Sequence, residues 1–507
     1  MIVKHGYWLL FFVILKFVLQ YYVNGNDHYE LHRDEFLHLD QAKHLDWGYH
    51  SVPPFTSWIS RIILQLGNSV FWIKFFPAMF GAMTIIVVWR IVEDLNGTLY
   101  AGTLAAIGLI FSSLLRLNML FQPNSSDIFF WTLLLYSVFK FIQTTNPGWI
   151  YLSAISFAIG FLNKYNIVFC LAGLMPAVLF SPYSTMYRSK HFYIAALLAL
   201  ILITPNLLWQ YHHNFPVITH MRELHETQLR KIPRIDFLRE QIYLFSGGLL
   251  LIGAALISIF TISVFRKYKL LAYSFGLTLL MFFLLRAKGY YAYGLYPILF
   301  AFGAVYWERL FSNRKAWLRP LPFIFILIMF IPLYNSALPI KKPEAFFDIT
   351  RFNKLNSKYT WEDGKEHLIP QDFADMLSWK ELADKVEAVY ATLPDKNGTL
   401  IIADNYGQAG AINYYSGMET DAVSFNADYI NWFELKKPIK SVVYVITKGD
   451  RMPTKFLFLF QHLDYKAEIK NKYAREYGTK IYVLSDPKKD LRPILQMQLT
   501  QLGAVYR

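Results

Sequence analysis

Leu31 to Pro54 reads LHRDEFLHLDQAKHLDWGYHSVPP. The stretch holds Asp34, Glu35, Asp40 and Asp46, with His32, His38, His44 and His50 between them. It directly follows an apolar segment, and most of the chain from there to about residue 338 is apolar as well. A polar loop rich in carboxylates and imidazoles, set against so much hydrocarbon-compatible sequence, is where chemistry is expected.

Working outward, the apolar runs set the class. The chain has 507 residues, 55% of them hydrophobic and 17% charged. Recurrent runs near the length of about 20 residues that a crossing needs predict a polytopic α-helical membrane protein. We read eleven spans: Gly6–Val23, Ser69–Val92, Leu99–Leu115, Asp127–Ile142, Trp149–Leu162, Ile167–Phe180, Phe192–Trp209, Gln241–Phe265, Leu270–Leu285, Tyr290–Trp307 and Leu321–Leu338. The first lacks a following small-residue cleavage site and is read as a retained span. The formal charge of +14 fits short basic loops and anionic lipid better than nucleic acid, so membrane lipids are expected partners and nucleic acid is not. The lone cysteine, Cys170, allows no intrachain disulfide.

Basic residues orient the spans. With the N-terminus in the cytoplasm, Arg188 and Lys190, then Arg266, Lys267 and Lys269, then Arg309, Arg314, Lys315 and Arg319 all fall on the inner side. Residues 24–68, 116–126, 163–166 and 210–240, the Arg286–Gly289 turn and the tail 339–507 then lie outside. The tail is charged and mixed. Thr399–Asp404, Ser441–Thr447 and Lys480–Leu484 read as strands, and Asp372–Ala391 and Thr454–Leu463 as helices. That alternation predicts an extracytoplasmic α/β domain over 339–507, after a transmembrane module over 1–338.

Several groups in the outer loops are suited to chemistry. Asp34 and Glu35 could accept a proton from an attacking group or bind a divalent metal; solvated loop acids are the alternative. The first-loop histidines lack a tight metal-ligand spacing, and headgroup-level surface histidines are the plainer account. Lys164, Arg286 and Lys288, with Tyr290 and Tyr291, suit either a lipid-linked phosphate or interfacial snorkelling with an aromatic belt. Asn206, Trp209 and Gln210, at the outer end of the seventh span, suit either a sugar site or interface anchors.

Read together, these stretches resemble the protein O-mannosyltransferase superfamily, and most closely its bacterial branch, glycosyltransferase family 39, which is related to the lipid A aminoarabinose transferases. The resemblance rests on Asp34-Glu35 with His44-Leu-Asp-Trp-Gly-Tyr49 and Pro53-Pro54, on Phe161-Leu-Asn-Lys-Tyr-Asn166, and on Thr204-Pro-Asn-Leu-Leu-Trp-Gln210. It continues through Lys288-Gly-Tyr-Tyr291 with Tyr296-Pro297, and Asp404-Asn-Tyr-Gly-Gln-Ala-Gly-Ala411. Each motif is weak alone; their common order along nearly the whole chain carries the resemblance.

The resemblance implies a type C glycosyltransferase fold in a bacterial plasma membrane, with the site on the outer face and a polyprenyl-phosphate sugar as donor. It makes Asp34 the catalytic base or part of the acceptor site, with Glu35 assisting or helping to bind a metal. Lys164 and Lys288 match positions near the lipid phosphate; Arg286, Tyr290 and Tyr291 join them by location. His44, Asn206, Gln210, Asn405, Tyr406 and Gln408 are the candidate substrate contacts. The acceptor is a lipid, a glycan or a protein, and a single displacement would invert the anomeric configuration. Arg33 beside Asp34 would lower its pKa if it pointed inward. The repeated outer domains of eukaryotic mannosyltransferases are absent. A transporter or flippase of a lipid-linked sugar is the alternative, although no symmetric halves are visible.

Overall fold

The computed structural model describes residues 2–503 apart from 228, 232, 346–358, 451 and 453. The apolar runs are helices. They are α1 (Ile2–Asn24), then, after two short helices of the first loop, α2 (Arg33–Asp40) and α3 (Phe55–Gln65), α4 (Val70–Asp94) and α5 (Leu99–Ile110). A single turn, α6 (Leu114–Leu117), leads to α7 (Pro123–Thr144), α8 (Gly148–Asn163), α9 (Ile167–Leu179) and α10 (Lys190–His212). Next come α11 (Pro216–Thr227), α12 (Arg234–Leu244), α13 (Leu249–Thr261), α14 (Lys269–Leu285), α15 (Tyr296–Leu310) and α16 (Pro320–Ala337).

Each of the eleven expected spans contains a helix. By length and composition, six helical segments among the described residues are long and apolar enough to cross a membrane, and α5, α8, α9 and α13 are shorter apolar helices. One expected span divides. Gln241–Phe265 breaks after Leu244, and α13 starts at Leu249. Gly247 and Gly248 lie at the break, where added Cβ atoms would press on the Ile326 backbone and the Phe300 ring. The bundle core is built mainly from α4, α5, α7, α13 and α15.

The C-terminal part carries a small hairpin, β1 (Tyr359–Thr360) with β2 (Glu366–His367), then α17 (Gln371–Ala374) and α18 (Trp379–Ala391). Its main sheet contains β3 (Thr399–Ala403), β4 (Ala422–Ser424), β5 (Ser441–Ile446), β6 (Phe460–Glu468) and β7 (Lys480–Pro487), in the order β4-β3-β5-β7-β6. β3 runs parallel to β4 and β5, while β7 runs antiparallel to β5 and β6. Helix α19 (Tyr406–Tyr415) joins β3 to β4; α20 (Thr454–Leu457) and α21 (Arg492–Gln501) complete the chain.

The three expected strands are present. The two expected helices differ. Asp372–Ala391 is interrupted at Ser378, which takes a left-handed φ of 67°. Thr454–Leu463 is helical for one turn only, and β6 starts at Phe460. The apolar run Phe456–Phe460 has no helical or strand period of its own: its first two residues close α20, and Phe460 opens β6 by pairing with Pro487 of β7.

The two parts meet through α2. Phe36 is fully buried and makes ring contacts with Trp379, Tyr414 and Tyr415, at centroid distances of 5.7, 5.9 and 5.8 Å. Helix α19 comes this close because it presents glycine. A Cβ on Gly410 would lie 2.6 Å from that of Phe36, and one on Gly407 would strike the Arg33 side chain. Leu31, Phe36, Leu37 and Leu39 share one apolar cluster with Ile63 and Ile73 on the membrane side and Ile401 and Val443 in the sheet.

Truncating Phe36 should therefore weaken the whole joint. Phe36→Ala is expected to cost about 3–5 kcal/mol. The readout is the unfolding midpoint of the detergent-purified protein; an unchanged midpoint would mean that the two parts do not share this core.

Candidate active site

His32 begins α2 by capping it. Its ring nitrogen Nδ1 accepts the Asp34 N–H at 3.2 Å, and its own N–H donates to Glu35 Oε2 at 2.7 Å. This capping box fixes the first turn and so the directions of the two neighbouring acids.

Glu35 points into the protein and is fully buried. Lys74 Nζ donates to both of its carboxylate oxygens at 2.7 Å, and the Phe121 N–H donates to Oε1 at 2.6 Å. With the His32 N–H included, Glu35 ties α2 to α4 and to the segment before α7. Its contacts are those of a positioning group.

Asp34 points the other way, and its side chain is 41% exposed. Tyr406 donates its hydroxyl to Oδ1 at 2.6 Å, and Gln122 Nε2 donates to Oδ2 at 3.1 Å. Arg33 does turn toward this group: its guanidinium lies 4.4 Å from the Tyr406 ring centroid and donates to the Tyr406 hydroxyl. Burial pushes the Asp34 carboxyl up. His32, Arg33 and the Tyr406 hydroxyl outweigh it and hold the group at about 2.

A chain of side chains leads from Asp34 to Lys164. Gln122 donates to Asp34, Asn124 Nδ2 donates to Gln122 Oε1 at 2.9 Å, and Lys164 Nζ donates to Asn124 Oδ1 at 2.8 Å. Lys164 sits in the turn between α8 and α9, with its ammonium 5.0 Å from the ring centroid of Tyr290 and 4.6 Å from that of Tyr291. Burial lowers its pKa to about 8, with Asp127 opposing and Lys288 reinforcing the shift. Asp127 is itself held by Trp131 Nε1 at 3.0 Å and Asn166 Nδ2 at 3.1 Å.

The remaining expected residues divide. Lys288 lies near this group and 3.7 Å from Glu362. Arg286 donates to the Arg230 carbonyl at 2.6 Å, and its turn takes a left-handed φ of 56°. Asn206 and Gln210 are buried and engage Tyr165: its hydroxyl donates to Asn206 Oδ1 and accepts from Gln210 Nε2, both at 3.0 Å. Asn206 also donates to the Trp47 carbonyl at 2.7 Å. The pair thus fastens the first loop and the α8–α9 turn to α10. His44 stacks on Trp432 at 4.3 Å. Asn405 caps α19, and Gln408 is buried against Thr447 and Glu476. Of the three tail residues, only Tyr406 reaches Asp34 among the described contacts.

Among the described residues, no three His, Cys, Asp or Glu side chains converge as metal ligands. Sequence reading overlooked Lys74, Gln122, Asn124 and Asp127. Lys74 and Asp127 did carry a signal, being ionisable groups within apolar helices. Gln122 and Asn124 carried none beyond flanking Pro123 at the start of α7.

Residues 51–209 match the family model described as dolichyl-phosphate-mannose-protein mannosyltransferase. The chain is 23% identical over 215 residues to the lipid A galacturonosyltransferase RgtD of Rhizobium johnstonii, covering 42% of this chain and 45% of the relative. The matched stretch thus spans less than half of the relative's length. In three dimensions the chain resembles ArnT of Cupriavidus metallidurans bound to undecaprenyl phosphate, with a TM-score of 0.63, 12% identity, and coverage of 95% of this chain and 99% of that one. The apo form of the same protein gives a TM-score of 0.60. At that identity the likeness is one of fold. The chain thus has the ArnT-like type C fold, and within residues 51–209 it is similar to the mannosyltransferase family.

Proposed function

We propose that the chain transfers a sugar from a polyprenyl-phosphate carrier to an acceptor lipid at the outer face of a bacterial plasma membrane. The observation that carries this is the relay Asp34–Gln122–Asn124–Lys164. It holds an anion and a cation three hydrogen bonds apart, with the anion partly open to solvent. A lipid acceptor is favoured by the named activity of the Rhizobium relative, and a polyprenyl phosphate by the ligand of ArnT.

In the proposed step the acceptor hydroxyl lies against Asp34 and the donor phosphate against Lys164. The acceptor oxygen forms a bond to the anomeric carbon from the face opposite the phosphate. The bond from that carbon to the phosphate oxygen breaks, and its electron pair leaves with the phosphate. The acceptor proton passes to Asp34. One such displacement inverts the anomeric configuration. A carboxyl held at about 2 is a weak base, so it takes the proton late, once the attacking oxygen has become acidic. Lys164 stabilises the charge that develops on the phosphate, and Lys288 adds to the local positive field. Glu35 positions α2, and Tyr406 holds Asp34 in place.

Asp34→Asn, which keeps the shape and removes the base, is expected to lower turnover by about 10²–10⁴-fold while the donor still binds. Protein in nanodiscs supplied with membrane-extracted lipid-linked sugar provides the assay. Normal turnover by this variant would remove Asp34 from the chemistry.

The pH dependence has two signs. Asp34 is held below its ordinary range, so it stays ionised until pH falls through about 2 and contributes no acid limb above pH 4. Lys164 is also lowered, so its positive charge is lost as pH rises through about 8. The kcat/KM profile should therefore fall on the alkaline side. Lys164→Arg, whose guanidinium keeps its proton, should abolish that limb. An alkaline limb unchanged in Lys164→Arg would assign it to another group.

A further inference from the structure

An apolar cavity of about 330 Å³ lies between α7, α8, α9 and α10, and no step above uses it. Its α8 wall runs from Trp149 to Phe157, in the half of the helix remote from Lys164. Trp149, Tyr183 and Met186 line that far end. Small side chains make the room, notably Ala154, Ala195 and Ala199. The helix pairing explains the gap: α8 packs on α7 and α10, whereas α9 packs on α14. The two arms of the α8–α9 hairpin thus part below their turn. The cavity reaches the bundle surface at Leu200, which is 50% exposed on α10.

We infer that this cavity receives the far end of the polyprenyl carrier, so that the protein selects its donor by chain length. The inference rests on the donor reading above. Lys164 occupies the turn joining α8 to α9, and the cavity lies between the same two helices. At the helical rise, Leu171 is about 10 Å from Lys164 along α9 and Val178 about 21 Å. A carrier of two isoprene units ends near the cavity's rim, whereas a long carrier fills it. The wall is almost wholly hydrocarbon and suits an isoprenoid chain better than a polar group or water. Each further buried carbon adds to affinity in proportion to the apolar area removed from water.

The test compares binding of undecaprenyl phosphate and geranyl phosphate to wild type, Lys164→Met and the graded series Ala154→Val, Ala154→Leu and Ala154→Phe. Comparing variants under one set of conditions cancels the lipids' own partitioning into detergent. Filling the cavity should weaken undecaprenyl phosphate at least about tenfold at Ala154→Phe, with smaller losses along the series, and leave geranyl phosphate unchanged. Unfolding midpoints of each variant identify any that fail to fold, and the smaller substitutions then carry the comparison. Equal weakening of both carriers, or none, overturns the inference. So does native mass spectrometry showing a diacyl phospholipid that undecaprenyl phosphate does not displace. Lys164→Met separates the two readings. If it leaves both carriers bound as in wild type, the phosphate assignment fails, whatever the cavity variants do.

Discussion

The ion pair between Glu35 and Lys74 governs the geometry around it. A carboxylate buried this deeply is tolerated only when its oxygens are matched, because the desolvation penalty is several kcal/mol per ion. Here an ammonium and two backbone N–H groups supply the match. Few arrangements of three chain segments can do this, so the pair fixes the rotation of α2. Successive residues on a helix lie about 100° apart. Turning Glu35 inward therefore turns Asp34 toward the opening. One acid is spent on position, and its neighbour is left available.

The C-terminal sheet participates in this arrangement directly. It shares an apolar core with α2, and α19 starts at the carboxyl end of β3 with Tyr406 in its first turn. The carboxyl ends of parallel strands are where α/β sheets commonly present functional groups. In this chain that end is directed at the membrane part, and the group it delivers is the Tyr406 hydroxyl on Asp34. Arg33 lies against the same ring, so the sheet and the first loop form one wall of the site. Removing the sheet would strip Asp34 of the hydroxyl that it accepts and α2 of the aromatic surround of Phe36.

Much of this was legible in the sequence. Apolar runs gave helices because hydrocarbon-length segments have few alternatives in a membrane, and β3, β5 and β7 announced themselves by β-branched residues. Asp34, Lys164 and the Tyr406 motif stand out in the sequence as candidate site residues. What could not be read was partnership. Asp34 and Tyr406 are 372 residues apart, and no local pattern encodes that contact. Asp34 and Glu35 are adjacent acids of the same type, and only the position of Lys74 separates their roles. Asn206 and Gln210 carry the amides expected of a sugar site, yet both face Tyr165. The run Phe456–Phe460 is apolar without a period, so where the helix ends and β6 begins could not be read from it.

The depressed pKa of Asp34 also bears on how the proposed reaction divides its work. A strong base would need a carboxyl raised toward neutrality, through burial away from cations. This site does the opposite, surrounding Asp34 with His32, Arg33 and a phenol donor. Such a group is poor at generating an alkoxide in advance, but it stays charged and in place at every physiological pH. A phosphate leaving group makes that sufficient, since the bond to it can weaken before the acceptor loses its proton. The demanding electrostatics then fall at the other end of the relay. In the proposed reaction Lys164, partly desolvated and framed by two tyrosines, would face the growing negative charge, and the burial that lowers its pKa would also strengthen its interaction with a phosphate.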